Sequence, residues 1–435
     1  MNPQMRKLIL ATALLCAAQA GQAAGLTVLI NEAVDTDPAV LEARASEEVA
    51  ASRAAATRAQ HLPTLGAQAG GYLAKPDSYS QPFRGLAGRV NLYAAGSIDT
   101  AIEREELKQQ SLRQRTAETR ELVAATVAQL YMEALRAREL LEVEQRNLQR
   151  HDKIIGDLQV VVANDPGRRY ELVQAQSRAL QVRMRIVEHE KAMKLALSKL
   201  TRYTRQTPTL DNPIPANWRD SLPADHEARA HPGVEAQKRE AEAVRAEQRT
   251  LERQRLPRVD LEAGAGNQSY ARVVLNWSFF DRSADYTVQS AAKQIAAARQ
   301  RVDLLERELA ERSATAEADM AQSLLQIEAS QRQIASSASV VELYELQFKI
   351  GRRSLIELVN AYAELASVEL SQVVAQNDWR AAVVHYLSAR ALLADWSAAR
   401  QSPGTGDRPF DAALRYAVGH GRFHTDGTAG AATHP

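Results

Sequence analysis

The sequence predicts a mainly α-helical chain with a small membrane β part, laid out as two copies of one plan. Three observations predict it. Short motifs recur at fixed offsets. Two segments at equivalent places alternate apolar and polar residues. No Gly or Pro occurs between Gly96 and Gly156, nor between Asp281 and Gly351. Such runs favour helices far longer than the usual three turns or so. At 1.5 Å per residue they reach roughly 90–100 Å. Helices of that length persist only when packed along their length as coiled coils.

The repeat sets the boundaries. Asp37-Pro38-Ala39-Val40 returns as His231-Pro232-Gly233-Val234, and Gln60-His61-Leu62-Pro63 returns as Gln254-Arg255-Leu256-Pro257, both at an offset of 194. Glu171-Leu172-Val173-Gln174-Ala175 matches Glu357-Leu358-Val359-Asn360-Ala361 at an offset of 186. A deletion at a loop tip between the strands accounts for the change. Residues 1–24 read as a secretory signal: Arg6 and Lys7, then the apolar run Leu8 to Ala18, then Ala18-Gln19-Ala20. Bulky Leu14 and Leu15 argue against lipid on Cys16. The first repeat is expected over 25–206 with a β-hairpin at 64–93. A linker follows at 207–223, where Pro208, Pro213, Pro215 and Pro223 forbid a continuous helix. The second repeat is expected over 224–400 with a hairpin at 258–280. Residues 401–435 have no apolar period and read as a disordered tail.

Within each repeat a helix of about 25 residues ends at a Leu-Pro step. Two strands of about ten residues follow, the length of a tilted membrane-crossing strand. In the second hairpin Val259, Leu261, Ala263 and Ala265 alternate with Asp260, Glu262, Gly264 and Gly266. After a turn at Asn267-Gln268-Ser269, the residues Ala271, Val273, Leu275, Trp277 and Phe279 form the apolar face. The first hairpin alternates more weakly, from Leu65 to Leu73 and from Leu86 to Leu92. Four such strands cannot close a barrel in lipid, where open edges leave backbone groups unpaired. Three copies would supply twelve strands, and the long helices would continue the same axis.

Composition excludes several classes. A formal charge of +1 lacks the basic footprint of a nucleic-acid binder. One cysteine excludes a disulfide framework or a Cys-based zinc site. No phosphate loop, metal-ligand spacing or nucleophile elbow is present, so no catalytic residue, metal or cofactor is expected and the chain reads as a non-enzyme. His420, His424 and His434 lie in the tail and are too sparse for a firm metal site.

The arrangement resembles the TolC-like outer-membrane efflux proteins over residues 27 to 396. The resemblance rests on Leu-Pro before each hairpin, on Tyr93-Ala94-Ala95-Gly96 and Phe279-Phe280-Asp281 after it, and on Gly351-Arg352-Arg353-Ser354-Leu355-Ile356-Glu357-Leu358-Val359-Asn360-Ala361. It implies a homotrimer with a twelve-stranded barrel in outer-membrane lipid and a helical tunnel in the periplasm. It further implies docking on a periplasmic adaptor (membrane fusion) protein and an inner-membrane ABC or RND transporter. The duct would be passive, serving type I protein secretion or small-molecule efflux. The turn Asp165-Pro166-Gly167-Arg168-Arg169 looks more like members that serve protein secretion. A non-conducting periplasmic coiled-coil tether is the alternative; it leaves the two amphipathic hairpins unexplained.

Site residues follow from the resemblance. Asp165, Gly167, Arg168, Gly351, Arg352 and Ser354 would form the adaptor-docking tip, although Gly and Pro-Gly are equally ordinary turn chemistry. Arg353 and Glu171 stand where the family places a charge pair, and Phe348 where it places a gate aromatic. Glu357 and Asn360, at i and i+3, would share one lumen face as a ring. The family often has two acids there; Asn360 halves the charge. A solvated helix face is the plain alternative for Glu357. Trp277, Phe279 and Phe280 are the best membrane-interface aromatics, with Tyr72, Tyr79, Phe83, Tyr93 and Tyr270 as further candidates, and hairpin packing is the other use of such rings.

Overall fold

The computed structural model describes residues 24–70, 84–215, 217–267 and 269–401. The signal segment up to residue 23, Tyr72, Tyr79, Phe83, Gln268 and the tail beyond Gln401 lie outside the described residues. The described elements are helices α1 (Leu26–Thr36) and α2 (Pro38–Arg58), strands β1 (Thr64–Ala69) and β2 (Arg84–Tyr93), and helices α3 (Ser97–Asn164) and α4 (Arg169–Leu200). They continue with α5 (Pro232–Arg253), β3 (Arg258–Gly266), β4 (Tyr270–Asn276), α6 (Arg282–Lys349), α7 (Leu355–Ala389) and α8 (Leu393–Gln401). The order helix, hairpin, long helix, shorter helix thus occurs twice. Both long helices have 68 residues, so each spans about 100 Å.

The recurring motifs have a local cause. Asp37 and His231 are helix N-caps, each followed by Pro at the first helical position. The Asp37 carboxylate accepts from the Ala39 N–H at 2.8 Å, and His231 Nδ1 accepts from the Gly233 N–H at 3.0 Å. Burial, with Arg312 close by, lowers the His231 pKa, which suits a neutral ring that accepts. The steps after the hairpins are caps as well. Gly96 precedes α3 at φ +75°, a left-handed backbone that favours glycine. Asp281 accepts from the Ser283 and Ala284 N–H groups ahead of α6.

The helices pack side by side. α4 lies along the later part of α3, and α7 along α6; α2 and α5 flank the start of α3. Charge pairs follow these seams, Arg150–Glu369 and Arg380–Glu139 between α3 and α7, and Lys153–Glu345 between α3 and α6. The main core sits where the two halves meet. α1 buries Leu26, Leu29, Ile30, Ala33 and Val34, spaced as one helix face, against α3 and α8. Tyr131 of α3, Trp379 of α7 and Trp396 of α8 join the same core. The Pro-bearing stretch between the halves is packed here rather than free: Leu210, Ile214 and Trp218 are buried, and the Tyr131 hydroxyl donates to the Asp211 carbonyl at 3.0 Å. Residues 207 and 209 also pair with Ala24. A second core, around Leu158, Leu355, Leu358 and Tyr362, closes the far end of the helices.

The four strands form one antiparallel sheet in the order β1-β2-β3-β4. β2 pairs with β3, which joins the hairpin regions of the two halves. β2 and β3 have 10 and 9 residues, close to the expected ten, whereas β1 has 6 and β4 has 7. β4 therefore ends at Asn276, and Trp277, Phe279 and Phe280 lie beyond it, in the link to α6, rather than within the strand as the alternation suggested. The run Ser278 to Asp281 leads into the α6 cap, and that turn ends the ladder.

One carboxylate of the main core makes stability depend on pH. Glu121 of α3 is buried and accepts from the backbone N–H groups of Leu393 and Ala394, at 3.0 and 3.2 Å, at the start of α8. Burial raises its pKa from 4.5 to about 7; the two N–H groups and Arg120 oppose the rise, and Asp395 adds to it. Between those values the folded chain keeps a proton that the unfolded chain releases. This contribution is therefore fully present below pH 4.5, falls as pH rises, and is lost above about 7. At about 1.4 kcal/mol per pH unit the loss is roughly 3 kcal/mol. Glu121→Gln is expected to remove it. Denaturant unfolding at pH 4.5 and pH 8 would show the variant gaining on the parent at the higher pH; a constant difference would refute this.

Candidate functional site

The sheet has two chemically different faces. Leu65, Leu86, Val259, Leu261, Val273 and Leu275 lie on one face by the period of two and the observed register. Leu65 is 86% exposed and Leu275 63%. Thr64, Gln68, Ala87, Arg89, Asn91, Arg258, Asp260, Glu262 and Arg272 lie on the other. There the polar side chains bond across strands. The Asp260 carboxylate is fully buried and accepts from Asn91 Nδ2 at 2.9 Å and from Arg258 Nε at 3.0 Å. Arg89 reaches Glu262 at 3.0 Å and Asp260 at 3.5 Å, and Arg272 reaches Glu262 at 2.8 Å. An apolar outer face with a polar inner face is the pattern of a strand between lipid and water. The outer edges of β1 and β4 have no further strand among the described residues.

Trp277, Phe279, Phe280 and Tyr93 stand at one end of this sheet and Tyr270 at the other. Phe279 and Phe280 are about four-fifths exposed, and Trp277 is more than half exposed. Trp277 and Phe279 meet edge to face, with ring centroids 6.1 Å apart. Tyr93 and Tyr270 are also exposed, and Tyr270 stacks under Arg272. Rings in this setting suit a membrane–water boundary. Among the described residues no helix is long and apolar enough to cross a membrane.

At the far end two turns reverse the chain. In the first, the Asp165 carboxylate accepts from the Gly167 N–H at 3.1 Å, and Pro166–Arg168 make one 3-10 turn. Arg168 holds Glu171 through two bonds of 3.0 and 2.7 Å, and the Tyr170 hydroxyl adds a third at 3.2 Å. In the second, Gly351 takes φ +73°. The Arg352 N–H then bonds back to the Gln347 carbonyl at 2.9 Å, closing the end of α6. Ser354 and Glu357 form a capping box at the start of α7.

The expected gate residues are engaged within the chain. Arg353 bonds to Gln347 at 3.0 Å, pairs with Glu357 and lies over the Tyr344 ring, 4.2 Å from its centroid. Glu171 is bound by Arg168, so Arg353 and Glu171 are not partners of each other in one chain. Phe348 is packed in the far-end core with Leu158, Leu355 and Leu358. Glu357 is half-exposed and serves the cap; Asn360, three residues on, is exposed. Asp165, Gly167, Gly351, Arg352 and Ser354 are exposed at the turns. Sequence reasoning missed the cross-strand charge network. The even positions of β3 marked a polar face, but its arginine partners depend on register.

The comparisons bear on both halves. The sequence profile described as outer membrane efflux protein matches residues 29–204. No curated protein matches the chain. Among solved structures, CusC is 16% identical with a TM-score of 0.74, over 86% of this chain and 95% of that one. VceC from Vibrio cholerae is 15% identical with a TM-score of 0.73, over 84% of this chain and 96% of that one. The outer-membrane channel MtrE of Neisseria gonorrhoeae, in its open state, is 17% identical with a TM-score of 0.69, over 84% of this chain and 88% of that one. At such identity these likenesses show the fold. The first half thus carries the outer membrane efflux protein profile and the chain as a whole has the fold of these channels, which places the protein in the outer membrane, extending into the periplasm.

Proposed function

We propose that the chain is the outer-membrane exit duct of a tripartite export machine: a passive homotrimeric channel, opened by a periplasmic adaptor and powered by an inner-membrane transporter. The observation that carries this is the sheet. It has an apolar and a polar face, two open edges, and helices about 100 Å long attached at one end. Pairing the β4 edge of one copy with the β1 edge of the next satisfies the backbone and closes a twelve-stranded barrel around the polar face. Exposed apolar residues on α4 (Val173, Leu180, Met184, Val187), on α6 (Leu343, Leu346) and at its C-cap (Ile350) give the copies a helical contact as well. Cargo would move through water without covalent chemistry, as a secreted polypeptide through an ABC partner or as small molecules. The Asp165 to Arg169 turn leans towards the former.

In this reading the turns at Asp165–Arg168 and Gly351–Ser354 are the adaptor-docking tip. Arg353 and Glu171 sit at the entrance, Phe348 holds the helices beside it, and Glu357 with Asn360 forms a ring inside. Each tie is a surface ion pair worth about 0–1 kcal/mol. A partner binding the open form a little more tightly can therefore shift it. The test is single-channel current of the purified protein in a planar lipid bilayer beside Arg353→Ser. A small, stable conductance that rises in the variant is expected. An unchanged variant would remove Arg353 from the entrance, and no current from well-formed trimers would sink the duct.

A further inference from the structure

We propose that the cavity where the sheet joins the helices is an anion site, taking the carboxylate or phosphate group of a solute inside the duct. The cavity has a volume of about 430 Å³ and lies between the ends of β2 and β3, the start of α3 and the end of α5. The charged side chains that line it are Arg89, Arg253, Arg258 and Asp260, three guanidiniums against one carboxylate. Asp260 is fully buried and already holds Asn91, Arg258 and Arg89, so it neither faces an incoming anion alone nor cancels the three cations. Glu262 offsets part of Arg89 and is shared with Arg272.

Arg253 is the decisive residue. It is exposed, and its one hydrogen bond goes to the Gly96 carbonyl at 3.1 Å. It has no carboxylate partner among the described residues, unlike its neighbours Arg249 with Glu103 and Arg255 with Asp285. A β-carbon on Gly96 would come within 2.5 Å of its guanidinium, so the glycine gives the arginine its seat. Asp99, in the first turn of α3, is bonded to His61 at 3.2 Å and does not line the cavity. A guanidinium presents five donors in a planar fork that fits carboxylate or phosphate oxygens. The remaining walls mix Leu62, Ile98 and Leu256 with polar Gln60, Thr64 and Ser97, whose donors can serve further oxygens of the anion.

The cavity opens on the polar face of the sheet, so its place inside the duct rests on the reading proposed above; the binding of an anion does not. The protein in phosphatidylcholine nanodiscs at low salt, titrated calorimetrically with inorganic phosphate and with citrate, provides the test. Saturable binding of one anion per chain is expected. Arg253→Gln should weaken it by about tenfold, the loss of a charge-assisted contact. Gln254→Glu, which adds a carboxylate to the wall without touching Arg253, should weaken it as well and guards against misfolding of the first variant. No saturable binding by the folded protein, or binding that neither variant alters, would overturn the site. Nanodiscs containing phosphatidylglycerol separate the sources: unchanged phosphate affinity supports a solute in the lumen, whereas loss of phosphate binding gives the cavity to lipid headgroups and overturns the luminal assignment. Conduction plays no part in this assay. A conducting protein that binds no anion keeps the duct and loses the site, and a non-conducting protein that binds phosphate does the reverse.

Discussion

Leu275→Arg is expected to abolish assembly into the outer membrane, while Val274→Arg, one residue earlier, is expected to leave it nearly intact. Leu275 is 63% exposed on the apolar face of β4. An arginine facing lipid near the midplane costs about 2–4 kcal/mol. In a closed trimer that cost is incurred three times. Val274 points to the other face and stands opposite Asp260 of β3. An arginine there meets water and a carboxylate. The measurement is the amount of heat-resistant trimer in the outer-membrane fraction. Equal losses in the two variants would refute the assignment of faces, and normal trimers from Leu275→Arg would remove β4 from the lipid boundary.

The second large effect is expected inside the helical part. Glu144 of α3 is fully buried, and its carboxylate accepts from Arg185 of α4 at 2.5 and 3.2 Å and from Asn147 at 3.3 Å. Arg185→Ala strands that carboxylate in the α3–α4 seam. Removing one partner of a buried pair costs about 3–5 kcal/mol, because the charge left behind has no compensation. Arg185 is 44% exposed, so water entering its place brings the expected loss to the lower end. Pairing it with Glu144→Met should recover most of the stability, since neither charge is then buried. Denaturant unfolding followed by tryptophan fluorescence would report both, and a double variant no better than Arg185→Ala would show that packing, not charge, holds the seam.

These two variants separate two jobs. In the proposed duct, lipid and water would lie on the two faces of the sheet, and neighbouring copies would fill its open edges. The helices have modest apolar content and are laced by ion pairs, as suits long surfaces that meet water and neighbouring helices. The far-end turns are fastened by short-range contacts, Arg168 with Glu171 and Arg353 with Gln347, Glu357 and Tyr344. The ion pairs lie within one helical turn and the contacts to Gln347 and Tyr344 reach only across the tip, so a tip can change partners without unpacking the helices. That arrangement suits an entrance worked by another protein.

Much of this was legible in the residues. The absence of Gly and Pro after Gly96 and Asp281 determined two long helices, because nothing in either run breaks the backbone ladder. Asp37-Pro38 and His231-Pro232 determined two helix starts, because a capping side chain followed by Pro satisfies the first N–H groups locally. Alternation at Val259 to Gly266 determined which side of β3 is apolar, because the pleat has a period of two. Tertiary structure alone decided the rest. The pairing of β2 with β3 sets Arg89 beside Asp260 and Glu262, residues about 170 positions apart, and no local pattern encodes that register. Glu121 and Glu144 read as ordinary surface acids on a charged helix; only packing against α8 and α4 buries them. The family resemblance implies a charge pair of Arg353 and Glu171; within one chain each is held by a nearer residue. A contact three or four residues away needs no ordering of distant chain, and so it forms first.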